Sequence, residues 1–309
     1  MPSNLVSKET IKTLAARAAG LDKPGGNPRL NQIVNRLLND LMVAIDDLDI
    51  SMDEFWAGVA YLGQSGQANE LGLLVPGIVL EHFLDLRLDE AERRAGLSGG
   101  TVRTIEGPLY IAGAPLVKGE ARLDDGTDDG EVLFVEGQVK DTSGRAVPEA
   151  IVDVWHANTM GFYSFFGPPQ SPYNLRRRIE TDQNGRYKFR SVMPSGYGCP
   201  PDGPTQALLT KLGRHGQRPA HVHFFVTAPG YRHLTTQFNI EGDKYLHDDF
   251  AFGTRDELIP PVVRIKDAEA IKKAGLTKPF ATIKFDFTVV KEKAGAPETI
   301  VHREHALAS

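Results

Sequence analysis

Cysteine is almost missing: Cys199 is the only one in 309 residues. Internal disulfides and cysteine-based zinc sites are thereby excluded, and the chain fits a reducing compartment. Long apolar runs are missing too. No stretch reaches the roughly 18 residues of a membrane-spanning helix. The opening MPSNLVSKETIK lacks the apolar core of a signal peptide, so a cytoplasmic protein is expected. There is no basic tract, and the net charge is −5, so the charge balance does not point to nucleic acid. What is present is an apolar share of 41% and a charged share of 24%, those of a soluble globular chain large enough for one large or two ordinary domains.

Apolar periodicity predicts helices over residues 1 to about 95. Lys8 to Ala19 reads as a short helix ended at Gly20. Asn27-Pro28 opens the next, with Asn as N-cap and Pro at the first helical position. There Leu30, Ile33, Val34, Leu37, Leu38, Leu41, Met42, Ile45 and Leu48 recur at helical spacing. This stripe either packs against the chain's own second domain or forms a seam with a second copy. An apolar groove holding lipid tails is a third reading. Ser51 with Glu54 makes a capping box for a third helix, which the polar Gly63 to Gln67 stretch should end. Leu71 to Arg94 reads as one further helix, with Pro76 in its first turn or at a kink.

Near Ser98-Gly99-Gly100 the texture changes to short β-like runs between Gly, Pro, Asp and Asn turns, the pattern of a sandwich. The expected architecture is mainly β with a helical N-terminal part: a helical dimerisation domain over residues 1–100 and a β-sandwich catalytic domain over 101–309. Expected strands are Val132 to Val139, Ala150 to Trp155, Tyr187 to Val192, His221 to Thr227, Thr235 to Ile240 and Thr282 to Val290. The last dozen residues, with His302 and His305, read as a tail. Asp125, Asp129, Gly130 and Glu136 fall at calcium-loop positions, but Thr127 replaces one ligand and a strand follows where a helix is needed, so a surface turn is the reading.

The chemistry centres on Arg218-Pro219-Ala220-His221-Val222-His223. On a strand His221 and His223 share a face with Val222 opposite. They either close on one metal ion or act as one packed and one surface histidine. Two glycine-bearing loops each carry a tyrosine: Tyr163 after Val154-Trp155-His156, and Tyr197 within Pro194-Ser195-Gly196-Tyr197-Gly198-Cys199-Pro200. Each tyrosine is either half-buried packing or a held ligand. Two Tyr with two His would be unusual for zinc. A phenol has a pKa near about 10, so only a strong Lewis acid holds two as phenolates at neutral pH, and Fe(III) fits.

The segments VWHANTMGFYSFF, PSGYGCPPDGPTQ, GRHGQRPAHVHFFVTAPG and HLTTQFNIEGD, with SGGTVRTIEGPLYIAGAP and ARLDDGTDDGE upstream, are similar to the intradiol ring-cleaving dioxygenases, and most closely to their catechol-cleaving branch. The likeness spans essentially the whole chain. It implies one non-haem Fe(III) per subunit held by Tyr163, Tyr197, His221 and His223, with Tyr163 and His223 equatorial and Tyr197 and His221 axial. It also implies Arg218 and Gln237 beside the metal, and a substrate pocket lined by Leu73, Pro76, Ile105, Pro108, Phe250 and Ala251 together with Arg218. The implied reaction cleaves catechol with O2 to cis,cis-muconate through an Fe(III)-catecholate, a step of the β-ketoadipate route of aromatic degradation. Tyr197 acts as a departing base. The implied assembly is a homodimer through the N-terminal helices.

Chlorocatechols and hydroxyquinol are the rival substrates within the family. Protocatechuate is disfavoured because its carboxylate needs a cationic partner and the lining positions other than Arg218 are apolar. Outside the family, a non-catalytic β-sandwich binding module would use the histidines as core and the tyrosines as loop filler.

Overall fold

The computed structural model describes residues 5–299 and 306–307; the tail histidines His302 and His305 lie outside them. The chain forms two compact units, residues 1–67 and 68–309.

The first unit is three helices: α1 (Lys8–Ala18), α2 (Pro28–Asp47) and α3 (Met52–Gln67). The helix α1 packs on α2 and buries Ile11, Ala15 and Ala19, spaced four apart along one face. Asn27 Oδ1 accepts from the backbone N–H of Arg29 (3.0 Å) and Leu30 (3.1 Å), satisfying two of the free donors at the start of α2. Asn27→Ala is therefore expected to cost about 1 kcal/mol, measurable by urea denaturation. The capping box forms as expected: Ser51 N–H donates to Glu54 (2.9 Å) and Glu54 N–H donates to Ser51 Oγ (3.3 Å). The helix then runs through the polar stretch to Gln67, and Asn69 in the left-handed region (φ 57°) ends it. Gly63 and Gly66 cost an exposed helix roughly 1 kcal/mol each but do not break it. No residue of α2 is buried, and Leu30, Leu37, Leu41 and Leu48 of the long stripe lie exposed.

The second unit opens with α4 (Leu71–Gly77) and α5 (Leu80–Arg94). The single helix expected over 71–94 is thus two. Pro76 sits in the last turn of α4, Ile78 caps it, and Val79 adopts φ 69° before α5 begins.

The strands follow: β1 (Ile111–Ala112), β2 (Leu116–Lys118), β3 (Glu120–Arg122), β4 (Val132–Asp141), β5 (Ile151–His156), β6 (Arg176–Glu180), β7 (Arg186–Val192) and β8 (Tyr197–Gly198). After α6 (Pro204–Lys211) come β9 (Gln217–Arg218), β10 (His221–Thr227), β11 (Leu234–Asn239) and β12 (Val263–Ile265). The helix α7 (Ala268–Lys273) then leads to β13 (Phe280–Lys284), β14 (Phe287–Val289) and β15 (Ala306–Leu307).

One sheet has the order β11-β10-β5-β6-β2 and the other β12-β13-β4-β7-β3, with β14 also on β4. The strand expected over 282–290 is broken because Asp286 Oδ1 takes the N–H of Gln138 (2.9 Å), standing in for a ladder carbonyl. Between the sheets Val222, Phe224 and Val226 of β10 share one core with Leu133, Val135, Val139, Phe189 and Phe287. The alternation that turns those side chains inward turns His221 and His223 onto the other face of the first sheet. The calcium-like turn is an ordinary Asx turn, with Thr127 N–H donating to Asp125 Oδ1 at 2.9 Å. Among the described residues no helix is long and apolar enough to cross a membrane.

Candidate metal centre and active site

The central strand β10 places the two histidines, and its neighbours set their surroundings. His223 stands in register with Gln237 on β11 and Trp155 on β5, so all three share a face. Trp155 stacks on His223 with ring centroids 4.9 Å apart and 6° between planes, which fixes the imidazole's tilt. The Nε2 atoms of His221 and His223 are 3.0 Å apart, and Tyr163 Oη lies 3.4 Å from His221 Nε2. Tyr163 and Tyr197 meet edge to face with centroids 5.4 Å apart, and Tyr197 lies 5.6 Å from the His221 ring. The four expected donors are thus gathered in one place.

Local backbone accounts for the tyrosines. Tyr197 on β8 pairs with Arg218 on β9. A Cβ on Gly196 would stand 2.5 Å from the Arg218 carbonyl oxygen, so only glycine lets the two segments approach this closely. Gly161 holds φ 82°, and a Cβ there would stand 2.9 Å from Tyr197 Cβ, which seats the loop of Tyr163 directly against Tyr197.

The electrostatics suit metal binding. His221 Nδ1 donates to the Pro219 carbonyl at 2.7 Å, so Nε2 is the nitrogen that carries the lone pair. Burial, aided by Arg218, lowers the His221 pKa to about 3, and burial likewise takes His223 well below the ordinary value. Both are neutral imidazoles at pH 7, the form that binds metals. Burial, with Tyr197 beside it, pushes the Tyr163 phenol well above 10. A highly charged cation inverts that preference. Two neutral imidazoles and two phenols that share one buried place therefore fit a trivalent ion, whose charge phenolates offset and a zinc site would not need.

Arg218 is buried and fully engaged. Its Nη1 donates to His221 Nε2 (3.0 Å) and its Nη2 to Gln237 Oε1 (3.0 Å). Nε and Nη2 form an ion pair with Asp249 (both 3.1 Å). Gln237 is fixed in turn by donating to Asn239 Oδ1 at 3.1 Å. Asp249 was not singled out from the sequence. It also accepts from the N–H of Ala251 and of Gly253 (both 3.0 Å), so one carboxylate holds the arginine and shapes the turn carrying Phe250 and Ala251. Burial opposes its charge and Arg218 favours it, leaving its pKa below the usual value. An acidic residue in HDDFAFG was visible, but nothing local distinguished Asp249 from Asp248.

The expected lining residues divide into two groups. Ile105, Phe250 and Ala251 form one buried cluster with Cys199 and Leu209. Pro76 is buried on α4, Leu73 is half-buried and Pro108 is exposed. The helix α4 closes on this cluster: a Cβ on Gly77 would meet the Phe250 ring at 3.3 Å, and one on Gly72 would meet Pro108 at 3.1 Å. Arg214 ties the same parts, donating to the carbonyls of Gly77 (2.6 Å) and Phe250 (2.9 Å).

The chain is similar to known proteins. The family described as "Dioxygenase" matches residues 105–290, and that described as "Catechol dioxygenase N terminus" matches residues 27–96. The catechol 1,2-dioxygenase of Acinetobacter guillouiae is 59% identical over 273 residues, 88% of this chain and 90% of that protein. The crystal structure of wild-type Acinetobacter radioresistens catechol 1,2-dioxygenase superposes with a TM-score of 0.94 at 54% identity, covering 99% of this chain and 100% of that one. The chlorocatechol 1,2-dioxygenase of Cupriavidus pinatubonensis is more distant, 37% identical over 76% of this chain and 89% of that protein.

Proposed function

This chain belongs to the intradiol ring-cleaving dioxygenase family, and on that premise we propose that it cleaves catechol with O2 to cis,cis-muconate. The observation that carries the reading is the convergence of His221, His223, Tyr163 and Tyr197 beside a buried arginine. Those four residues would hold one non-haem Fe(III) per chain. When bound, that ion supplies Lewis acidity that draws the catechol oxygens into anionic form.

The chain's own groups do the rest. Tyr197, held as a phenolate, would take up one of the two catechol protons at its oxygen, as befits the less buried of the two phenols. Arg218, a permanent cation within a fixed network, stabilises negative charge that develops on the ring as O2 adds. Gln237 keeps that guanidinium in place. Ile105, Phe250, Ala251, Pro76, Leu73 and Pro108 form an apolar wall that admits a flat unsubstituted ring and excludes water. Both oxygen atoms enter the product, so no external reductant is needed.

The test is turnover of catechol, chlorocatechol and hydroxyquinol by purified, iron-quantified protein. Catechol should have the highest kcat/KM, and mass and ultraviolet spectra should identify muconate. An extradiol semialdehyde product would refute the intradiol reading. A colourless protein that stays inactive after iron loading would favour a non-catalytic binding module.

The helical part over residues 1–100 serves as a dimerisation domain beside the catalytic 101–309. The support is the exposed stripe of α2, with Leu30, Leu37, Leu41 and Leu48 uncovered. Light scattering at micromolar concentration should return twice the chain mass, and native mass spectrometry distinguishes a dry seam from one holding lipid. The protein acts in the cytoplasm.

A further inference from the structure

We propose that Arg176 is a positioning residue for the metal centre, a fixed cation behind Tyr163 that makes Tyr163 the more firmly held of the two phenol donors. This rests on the reading of the site as an iron centre.

Arg176 opens β6, in register with Trp155, and is only 1% exposed. Its guanidinium carbon lies 5.7 Å from the centre of the Tyr163 ring and 6.0 Å from that of Phe166. Its Nε donates to Ser164 Oγ (2.9 Å), and its Nη2 donates to the carbonyls of Leu109 (2.8 Å) and Ser164 (3.2 Å). Those bonds grip the residue next to Tyr163. Nη1 has no hydrogen-bond partner among the described residues.

What sets Arg176 apart is that among the described residues no carboxylate stands at ion-pair distance from it, Asp153 acting only from farther off. The other buried arginines each face a carboxylate: Arg218 pairs with Asp249 at 3.1 Å and Arg232 with Glu92 at 2.7 Å. Arg176 forms no such ion pair among the described residues, only bonds to a hydroxyl and to carbonyls. A buried cation with no carboxylate in contact is incompletely compensated. A negative charge on Tyr163, whose ring it overlies, supplies the missing compensation, because the phenolate ring is a richer partner for a guanidinium than the neutral phenol. The cation beside Tyr197 is a different one, which also acts on Tyr163. The arginine paired with Tyr197 across β8 and β9 is Arg218, whose fork is committed to Asp249, Gln237 and His221. Two tyrosines of one site are thus held unequally, and Arg176, which overlies the Tyr163 ring, adds to the inequality.

The experiment uses the full-length ferric protein and reads the phenolate-to-metal absorption band and the rate of iron loss to a chelator. R176M should move the band to longer wavelength by on the order of 20 nm, the effect on a visible band of removing one charge about 6 Å away at an effective dielectric of about 20. Iron should leave about tenfold faster, in the range for losing an outer-shell partner. R176K, which keeps the charge, should show less than half the band shift. S164A, which removes two hydrogen bonds of the hydroxyl (from Arg176 Nε and to the Asn174 carbonyl) and no charge, should shift it less still. An unmoved band in R176M overturns the inference, as does an R176K shift equal to that of R176M. Should R176M fail to fold, R176Q is compared with R176K on the same criteria. A coloured wild type with an unmoved variant overturns only the role of Arg176, whereas a colourless, iron-free wild type overturns the iron reading itself.

Discussion

Replacing His223 by alanine is expected to yield a protein that retains no iron, has no visible colour and does not turn over catechol, and replacing His221 should do the same. Each imidazole is buried and neutral, so each has one ring nitrogen whose lone pair is free of a proton. Loss of an outer-shell partner alone weakens a metal site by roughly 10- to 100-fold, and an inner donor contributes more. The two variants should differ in stability. His223 is stacked on Trp155, so its removal leaves a void beside a large ring and should cost about 2 kcal/mol or more, as large-to-small core substitutions do. His221 is instead tied to the Pro219 carbonyl and to Arg218, and truncating it leaves a carbonyl and a guanidinium N–H short of a partner. Metal analysis, the visible spectrum and a thermal melt of each variant check all three points. Iron held at one per chain in either variant would remove that histidine from the site.

The histidines were legible because a strand's period of two is a strong local rule. His221 to Thr227 forms the strand that alternation predicts, with Val222, Phe224 and Val226 inward. Asn27, Ser51 and Glu54 were legible for the same reason, since capping is a contact between near neighbours in sequence. What was missed depends on remote partners. Arg176-Arg177-Arg178 has no apolar alternation, yet it is a central strand because Arg176 finds Ser164 and Leu109 across the fold. The helix α6 had its signal in Gly203-Pro204, but the group satisfying its free N–H at Thr205 is Glu70, far away in the chain. Asp249 is the clearest case, since its meaning lies wholly in reaching Arg218. Gathering the two tyrosines with the histidines is likewise a matter of loops folding over a sheet, which spacing alone does not dictate.

Arg218→Met is expected to leave a coloured, iron-loaded protein whose kcat is lower by about 100-fold or more, the scale for deleting one preorganised group that meets charge in the transition state. The arginine's burial complicates the measurement. Removing it strands the Asp249 carboxylate in the interior, where breaking one side of a buried ion pair costs about 3–5 kcal/mol. The turn of residues 249–253 is held by that same carboxylate, so displacement of Phe250 and Ala251 is the competing account of lost activity. The double variant Arg218→Met/Asp249→Asn resolves this. It restores charge balance and keeps an acceptor oxygen for one of the two N–H groups, that of Ala251 or that of Gly253, so its melting temperature should recover part of what the single variant loses. Its kcat should not recover, because the cation facing the substrate is still gone. If kcat instead returns with stability, the arginine serves the fold alone and the stabilisation of the developing ring charge must come from elsewhere in the site.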